Sequence, residues 1–251
     1  MDLQLHDKTA LITGASVGIG RAIAKGLAAE GVRVAIAARR TGLLQELARE
    51  IVADGGQQPV VIESNLYDDD ASPRLAATAL QALGRVDILI NNAGGSRSFK
   101  ELHVGEEAWQ EAITLNFHRP RQLADALIDQ MIDNRWGRII NITGKSEPEH
   151  INGAFCAKAG MHSWAKGLSR MVGKHGITVN CIPPGRIHSE QIFRNYTPEY
   201  RKWQSEHEIP VGRYGEPEEL AHLVVFLSSP LAAYISGAVI PVDGGLRRYQ
   251  F

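Results

Sequence analysis

A glycine-rich turn near the start of the chain has the residue types and spacing to bind phosphate. Residues 8–21 read KTALITGASVGIGR, with glycines at Gly14, Gly18 and Gly20. The apolar run before them predicts a buried parallel strand, and residues 21–30 predict a helix. Glycines permit a sharp turn close to a ligand, and free N–H groups at a helix start attract phosphate. The spacing differs from the Gly-x-Gly-x-x-Gly dinucleotide fingerprint, and strand-to-helix turns also carry glycine for geometry alone.

The elements that must position this turn alternate along the chain. Further strands are predicted at residues 32–38, 60–62, 86–90, 138–142, 177–182 and 238–242, and helices at 42–53, 73–83, 107–133, 153–174 and 217–227. Alternation of this kind is typical of an α/β protein, in which helices cover both faces of a parallel sheet. Residues 183–214 are predicted to be irregular, as in a lid or a binding loop.

Length and charge restrict the class of protein. The 251 residues suit one large α/β domain, and the formal net charge of −1 does not favour a nucleic-acid partner. Two cysteines imply no disulfide framework, which fits a reducing cytoplasm. No apolar run approaches the roughly 20 residues that span a bilayer, and the first eight residues do not read as a signal peptide.

Several motifs in order along the chain resemble those of the short-chain dehydrogenase/reductase family. They are TGASVGIG at residues 13–20, NNAG at 91–94, Asn116, Lys158, Pro184-Gly185 and VDGG at 242–245. The resemblance extends over nearly the whole chain. It implies a three-layer Rossmann fold with a doubly wound parallel sheet of about seven strands, a single domain over residues 1–251, and a nicotinamide dinucleotide across the strand ends.

The same resemblance implies the coenzyme site. Matching positions are Gly14, Ser16, Gly18, Ile19 and Gly20 at the pyrophosphate and adenosine ribose, Asn65 and Leu66 after the third strand, Asn92, Ala93 and Gly94 after the fourth, Lys158, and Pro184, Gly185, Ile187 and Ser189 near the carboxamide. Many relatives have an aspartate where Asn65 stands, and an amide oxygen can accept the same hydrogen bond from adenine.

The end of the second strand bears on the choice of coenzyme. An acidic residue there binds the ribose 2′-hydroxyl, whereas arginine favours a 2′-phosphate. This chain has Ala38 followed by Arg39 and Arg40. A pair of solvated surface arginines is the simpler interpretation, but their place beside the glycine turn favours NADP(H) over NAD(H).

The family's catalytic pattern is matched only in part. Lys158 and Asn116 match the family's lysine and asparagine, and are the predicted catalytic residues. The family's tyrosine, four residues before the lysine, corresponds to Ala154, and its serine at the end of strand five corresponds to Gly144. Neither side chain can donate a hydrogen bond.

Three interpretations follow. Other groups can replace the missing pair: Thr143 and Ser146 flank Gly144, His150 can serve as acid or base, and Lys158 can protonate substrate directly or through water. The neighbouring loop also contains Lys145, Glu147 and Glu149, for which a solvated turn is the ordinary interpretation. Alternatively, the protein binds nucleotide without redox chemistry, or Ala154 replaces a native tyrosine.

The leading prediction is therefore hydride transfer between NADP(H) and a small carbonyl or alcohol substrate, with residues 186–214 as a substrate loop. The alternative is a catalytically silent dinucleotide-binding or assembly protein. No metal site is predicted, because His103, His162 and His175 lack clustered partners. Resemblance of residues 212–220 and 234–245 to the family's C-terminal region implies a homotetramer or homodimer.

Overall fold

The computed structural model describes residues 1–96, 99, 101–144 and 150–248. Six parallel strands form one sheet: β1 Thr9–Thr13, β2 Arg33–Ala38, β3 Val60–Glu63, β4 Ile88–Asn91, β5 Gly137–Ile142 and β6 Ile177–Ile182. Their spatial order is β3-β2-β1-β4-β5-β6. This confirms the predicted doubly wound α/β architecture, in which the chain reverses its winding between β1 and β4.

Each face of the sheet packs against a layer of helices, and the two interfaces form two apolar core clusters. Along β1, Ala10 and Ile12 contribute to one core cluster, and Leu11 contributes to the other. The first cluster includes apolar residues of helices α1 Gly18–Ala29, α2 Thr41–Ala53 and α9 Pro217–Ser228; the second includes those of α3 Ala71–Leu83, α5 Arg119–Asp133 and α6 Gly153–Val172. All five residues of β1 are buried, as expected of a strand in a two-sided parallel sheet.

The predicted seventh strand is present only as an extended segment beside β6. Cys181 donates its N–H to the carbonyl of Ala238 at 2.9 Å, and its own carbonyl accepts from Ile240 at 2.9 Å. Only isolated parallel bridges join the two segments. The bonds continue where Val242 donates to the Pro183 carbonyl at 3.2 Å, but Pro183 has no N–H to donate in return, so the ladder is interrupted there.

The single helix predicted over residues 107–133 is wrong in detail. Helix α4 runs Glu106–Ile113, a π-helical turn covers Thr114–His118, and α5 follows. The Asn116 side chain donates to the Ala112 carbonyl at 2.8 Å within this turn. Pro120, near the start of α5, has no N–H for a regular helical bond. Such π turns are frequent at functional sites.

The prediction that residues 183–214 are irregular is also wrong. They contain helices α7 Glu190–Asn195 and α8 Pro198–His207. Ser189 and Thr197 cap the two helices, accepting from Ile192 N–H at 3.2 Å and Tyr200 N–H at 3.3 Å respectively. A capping serine or threonine, with Pro198 at the first helical position, is a sequence signal for a helix start that could have been recognised.

A fully buried arginine on β5 links three backbone segments by hydrogen bonds. The Arg138 guanidinium on β5 donates to the carbonyls of Ser229, Gly137 and Gly176 at 3.3, 2.8 and 3.1 Å, and it lies over the Trp136 ring. Burial lowers the pKa of Arg138 to about 10. Within the described ranges, no helix is long and apolar enough to cross a membrane.

Candidate active site

A cavity of about 880 Å³ opens at the carboxyl ends of the strands, next to the reversal between β1 and β4. Parallel α/β sheets bind ligands at this place. Ten of the predicted site residues line it: Gly14, Ser16, Arg39, Arg40, Asn65, Leu66, Asn92, Ala93, Gly94 and Asn116. Residues of α4 and of the substrate loop also contribute to the wall. The fold thus brings together groups from Thr13 to Arg194, which are about 180 residues apart in sequence.

The glycine turn packs so tightly that side chains are excluded from it. Gly14 has φ of +66°, and a Cβ there would lie 2.9 Å from the Ala93 Cα. A Cβ on Gly20 would lie 2.4 Å from the Gly14 carbonyl oxygen. The Asn92 amide donates to that same carbonyl at 3.0 Å. These contacts fix the turn against the segment that follows β4.

Helix α1 begins in this turn without a side-chain cap. Val17 occupies the N-cap position and cannot accept a hydrogen bond, and the first turn contains no acidic residue. The N–H groups of the first helical turn are therefore available to an anion, and the helix dipole favours one. The turn and the uncapped helix fit the pyrophosphate of a dinucleotide.

The two arginines after β2 have different surroundings. Arg39 is exposed and lines the cavity, with no hydrogen bond or ion pair to another described residue. Arg40 donates twice to the Glu190 carboxylate on α7, at 3.0 and 2.8 Å. Glu190 also lines the cavity, and sequence reasoning missed it because it stands 150 residues beyond Arg40.

The loop after β3 is fixed by its own hydrogen bonds and by a buried arginine. The Asn65 amide donates to Asp68 at 2.8 Å, and its oxygen accepts a longer bond from Tyr67 N–H at 3.4 Å. The Arg119 guanidinium on α5 donates to the Leu66 carbonyl at 2.9 Å. The loop that was predicted to meet adenine thus lines the cavity and is held in place by these hydrogen bonds.

Lys158 lies where α6 passes the ends of β4 and β5. Its Nζ donates to the Thr143 carbonyl at 3.0 Å, and a Cβ on Gly94 would come within 3.5 Å of that Nζ. Burial lowers the pKa of Lys158 to about 8. The ammonium therefore gives up its proton more readily than an ordinary lysine.

Asn116 holds the segment opposite Lys158. Its amide donates to the Gly95 carbonyl at 3.0 Å, and its oxygen accepts from the Gly95 N–H at 3.3 Å. A Cβ on Gly94 would lie 2.9 Å from that oxygen. The π turn thus positions Asn116 to clamp the glycines that follow β4.

The positions predicted to correspond to the family's serine and tyrosine are closely packed. A Cβ on Gly144 would lie 3.1 Å from the Lys158 Cδ and 3.6 Å from the Phe155 ring. Ala154 is buried in the first turn of α6, where the Asn152 side chain accepts from its N–H at 3.0 Å. The absent Cβ of Gly144 leaves room for the Lys158 side chain.

Thr143 and His162 form a pair that the motifs did not indicate. The Thr143 hydroxyl and His162 Nε2 are 2.8 Å apart. Burial, with the positive charges of Arg247 and Lys158, lowers the pKa of His162 to about 4, so its imidazole is neutral at physiological pH. In the tautomer with Nε2 unprotonated, the neutral imidazole accepts a hydrogen bond from the threonine hydroxyl.

The remaining predicted residues, which include Lys158 and Gly20 described above, are not among those that line the cavity. Gly18 and Ser189 face each other, since a Cβ on Gly18 would lie 3.8 Å from the Ser189 Cβ. Pro184 and Gly185 follow β6, and Gly185 donates its N–H to the Val242 carbonyl at 2.9 Å. Ile187 is buried in the core, and Ile19 packs against the same cluster.

The alternative acid–base groups are placed only in part. His150 is exposed and is not a lining residue of the cavity. Lys145, Ser146, Glu147 and Glu149 lie outside the described residues. Over the described ranges, no three metal-ligating side chains are clustered.

Comparison with known proteins agrees with this geometry. The family described as "Enoyl-(Acyl carrier protein) reductase" matches residues 14–247. The chain is 33% identical to the 3-oxoacyl-[acyl-carrier-protein] reductase FabG of Aquifex aeolicus, over 98% of this chain and 100% of that protein. It is 34% identical to an L-rhamnose 1-dehydrogenase (NAD(P)(+)) of a Sphingomonas species, over 96% and 97% of the two chains.

Solved structures give the same result. L-sorbose reductase from Gluconobacter frateurii, complexed with NADPH and L-sorbose, superposes with a TM-score of 0.93 at 29% identity, over 99% of this chain and 100% of that one. A 7α-hydroxysteroid dehydrogenase with NADH superposes with a TM-score of 0.91 at 31% identity, over 97% and 96%. The fold and the site define an α/β oxidoreductase of the Rossmann type. The chain belongs to the short-chain dehydrogenase/reductase family.

Proposed function

We propose that this protein transfers hydride between NADP(H) and a carbonyl or alcohol substrate, through an active site that lacks the family's serine and tyrosine. The observation that carries the proposal is Lys158, a largely buried ammonium beside Gly94 and Asn116 with a pKa lowered to about 8. General acids work best when their pKa lies near the operating pH. Relatives named as reductases and dehydrogenases support the reaction class.

The chain's own residues fit the coenzyme. The glycine turn and the start of α1 would hold the pyrophosphate, Arg39 would meet the 2′-phosphate, and the clamped glycines at 94 and 95 would border the nicotinamide ribose. When bound, the reduced nicotinamide supplies a hydride to the carbonyl carbon. The Lys158 ammonium supplies the proton that the carbonyl oxygen then requires, directly or through one water.

The wider arrangement is part of the same proposal. Residues 1–251 form one coenzyme-binding domain, with the substrate loop at 186–214 closing over its cavity. The protein assembles as a homotetramer or a homodimer. No role for nucleic acid, membrane or metal is needed in this scheme.

A catalytically silent nucleotide-binding protein is the second candidate. Ala154 and Gly144 favour it, because neither can donate a hydrogen bond to a substrate oxygen. In this case the cavity holds NADPH, and no carbonyl compound is reduced.

Turnover and binding measured on the same samples separate the two candidates. NADPH affinity is measured by fluorescence titration, and NADPH oxidation is followed with a panel of ketones, aldehydes and sugars. Lys158→Met is expected to abolish turnover, whereas Lys166→Met, an exposed change on the same helix, is expected to leave it unchanged. Binding without turnover on any compound would refute the proposal and support the silent protein.

The double variant Gly144→Ser/Ala154→Tyr provides the reverse test. It restores the residue types that the family pattern has at these positions. A Cβ at Gly144 requires only that the flexible Lys158 side chain move by a few tenths of an ångström. If the wild type is inert and the variant reduces carbonyls, the silent candidate is correct; NADPH affinity and melting temperature show whether the variant is folded.

A further inference from the structure

The substrate loop brings a carboxylate to the adenosine end of the cavity. Glu190 is the first residue of α7, directly after the capping Ser189. Both of its carboxylate oxygens accept hydrogen bonds from the Arg40 guanidinium. Parallel bonds of this kind between a guanidinium and a carboxylate are strong and directional. The contact joins the segment after β2 to the segment after β6 across the mouth of the cavity.

Glu190 changes the charge that the Arg39–Arg40 pair presents. Arg39, Arg40, Glu190 and Arg194 all line the cavity. Hydrogen bonding to Arg40 holds the pKa of Glu190 below its usual range, so the carboxylate is ionised at neutral pH. Two of the five N–H donors of Arg40 are occupied by Glu190. Of the two consecutive arginines, Arg39 is the one with no hydrogen bond or ion pair to another described residue, and Arg194 acts on Glu190 through its charge.

An acidic group near this point normally comes from the strand itself. In dinucleotide-binding folds a carboxylate close to the ribose accepts from the 2′-hydroxyl and repels a 2′-phosphate. Here β2 ends at Ala38 and carries no acidic residue. The structure supplies the carboxylate from another part of the chain, on an element that belongs to the substrate loop.

We propose that Glu190 is a coenzyme-specificity residue, which neutralises Arg40 and weakens the preference for NADPH over NADH. This inference rests on the proposed NADP(H) function. Arg39 carries the attraction for the 2′-phosphate, while Glu190 places a negative charge beside it. The wild type therefore discriminates less between the two coenzymes than its two consecutive arginines indicate.

The test is the ratio of the dissociation constants for NADH and NADPH, measured by fluorescence titration of the full chain. Glu190→Gln is expected to raise that ratio about fivefold, since the negative charge beside the phosphate is lost while Arg40 is released. Release of the substrate loop alone would change both affinities by the same factor, so the ratio isolates the charge. Glu206→Gln removes a charge from α8, outside the cavity lining, and serves as the control.

The outcomes distinguish this inference from the proposed function. An unchanged ratio in Glu190→Gln, or an equal change in Glu206→Gln, overturns the role of Glu190 and leaves the proposed function standing. A wild type that binds neither coenzyme overturns both. In Arg40→Gln the unpaired carboxylate faces the 2′-phosphate, so NADPH affinity is expected to fall more than in the double variant Arg40→Gln/Glu190→Gln.

Discussion

Replacing Lys158 with methionine is expected to stabilise the free protein at pH 7. Burial lowers the pKa of Lys158 from 10.5 to about 8, which corresponds to about 3 kcal/mol against keeping the ammonium protonated. The side chain retains some solvent exposure, and solvent screening reduces this figure. Methionine also loses the bond from the charged donor to the Thr143 carbonyl, worth about 1.5 kcal/mol or more. The net gain is therefore about 1 kcal/mol or less.

The sign of the pH dependence follows from the direction of the pKa change. Because the pKa is lower in the folded protein than in the unfolded chain, the cost is fully present below pH 8 and disappears as the pH rises to about 10.5. The advantage of Lys158→Met should therefore be largest at pH 7 and smallest near pH 10. At pH 7 it corresponds to a melting temperature up to about 4 °C higher for a chain of this length.

Urea denaturation of the wild type, Lys158→Met and Lys166→Met at pH 7 and pH 10 measures this effect. The exposed Lys166 variant should follow the wild type at both values. Two results would contradict this reasoning: a Lys158→Met variant that is less stable than the wild type at pH 7, or an advantage that is the same at both pH values. Either result would show that burial does not disfavour the charged form of Lys158, and would refute the argument for an activated lysine. The same pKa predicts that carbonyl reduction declines above pH 8, as the acid loses its proton.

Three further changes test the scaffold of the site. Gly20→Ala places a Cβ 2.4 Å from the Gly14 carbonyl and should abolish NADPH binding in a fluorescence titration, whereas Gly42→Ala, where a Cβ meets nothing within 4 Å, should leave it intact. Asn116→Ala releases the clamp on the glycines after β4 and should weaken NADPH binding at least tenfold; an unchanged affinity would contradict the clamp. Arg138→Ala removes three hydrogen bonds to backbone carbonyls, of which only the Ser229 carbonyl is known to keep a second donor, the Ala232 N–H, and should cost about 3–5 kcal/mol in urea denaturation, with coenzyme affinity retained if the protein remains folded.

Much of the fold was predictable from local patterns. A strand buried on both faces needs a continuous apolar run, and a helix against the sheet needs one apolar stripe, so β1 and α1 can be recognised to within about three residues at each end. The glycine turn was recognisable for a similar reason. Its positive φ angle at Gly14 and its close contact with Ala93 leave room only for glycine. The π turn at Asn116 was not recognisable, because it depends on a hydrogen bond to Gly95, 21 residues earlier.

Which charged and hydrogen-bonding groups meet at the site could be determined only from the tertiary structure. The sequence by itself determined that Arg39 and Arg40 follow β2, and it predicts that Ala154 and Gly144 stand at two expected catalytic positions. It could not determine that Arg40 is paired with Glu190, since the two are separated by 150 residues. Nor could it determine that Lys158 has a lowered pKa or that Thr143 meets His162, 19 residues away. A pKa and an ion pair depend on solvent exclusion and on which atoms meet, and only the packing of α6 and α7 against the strand ends decides these.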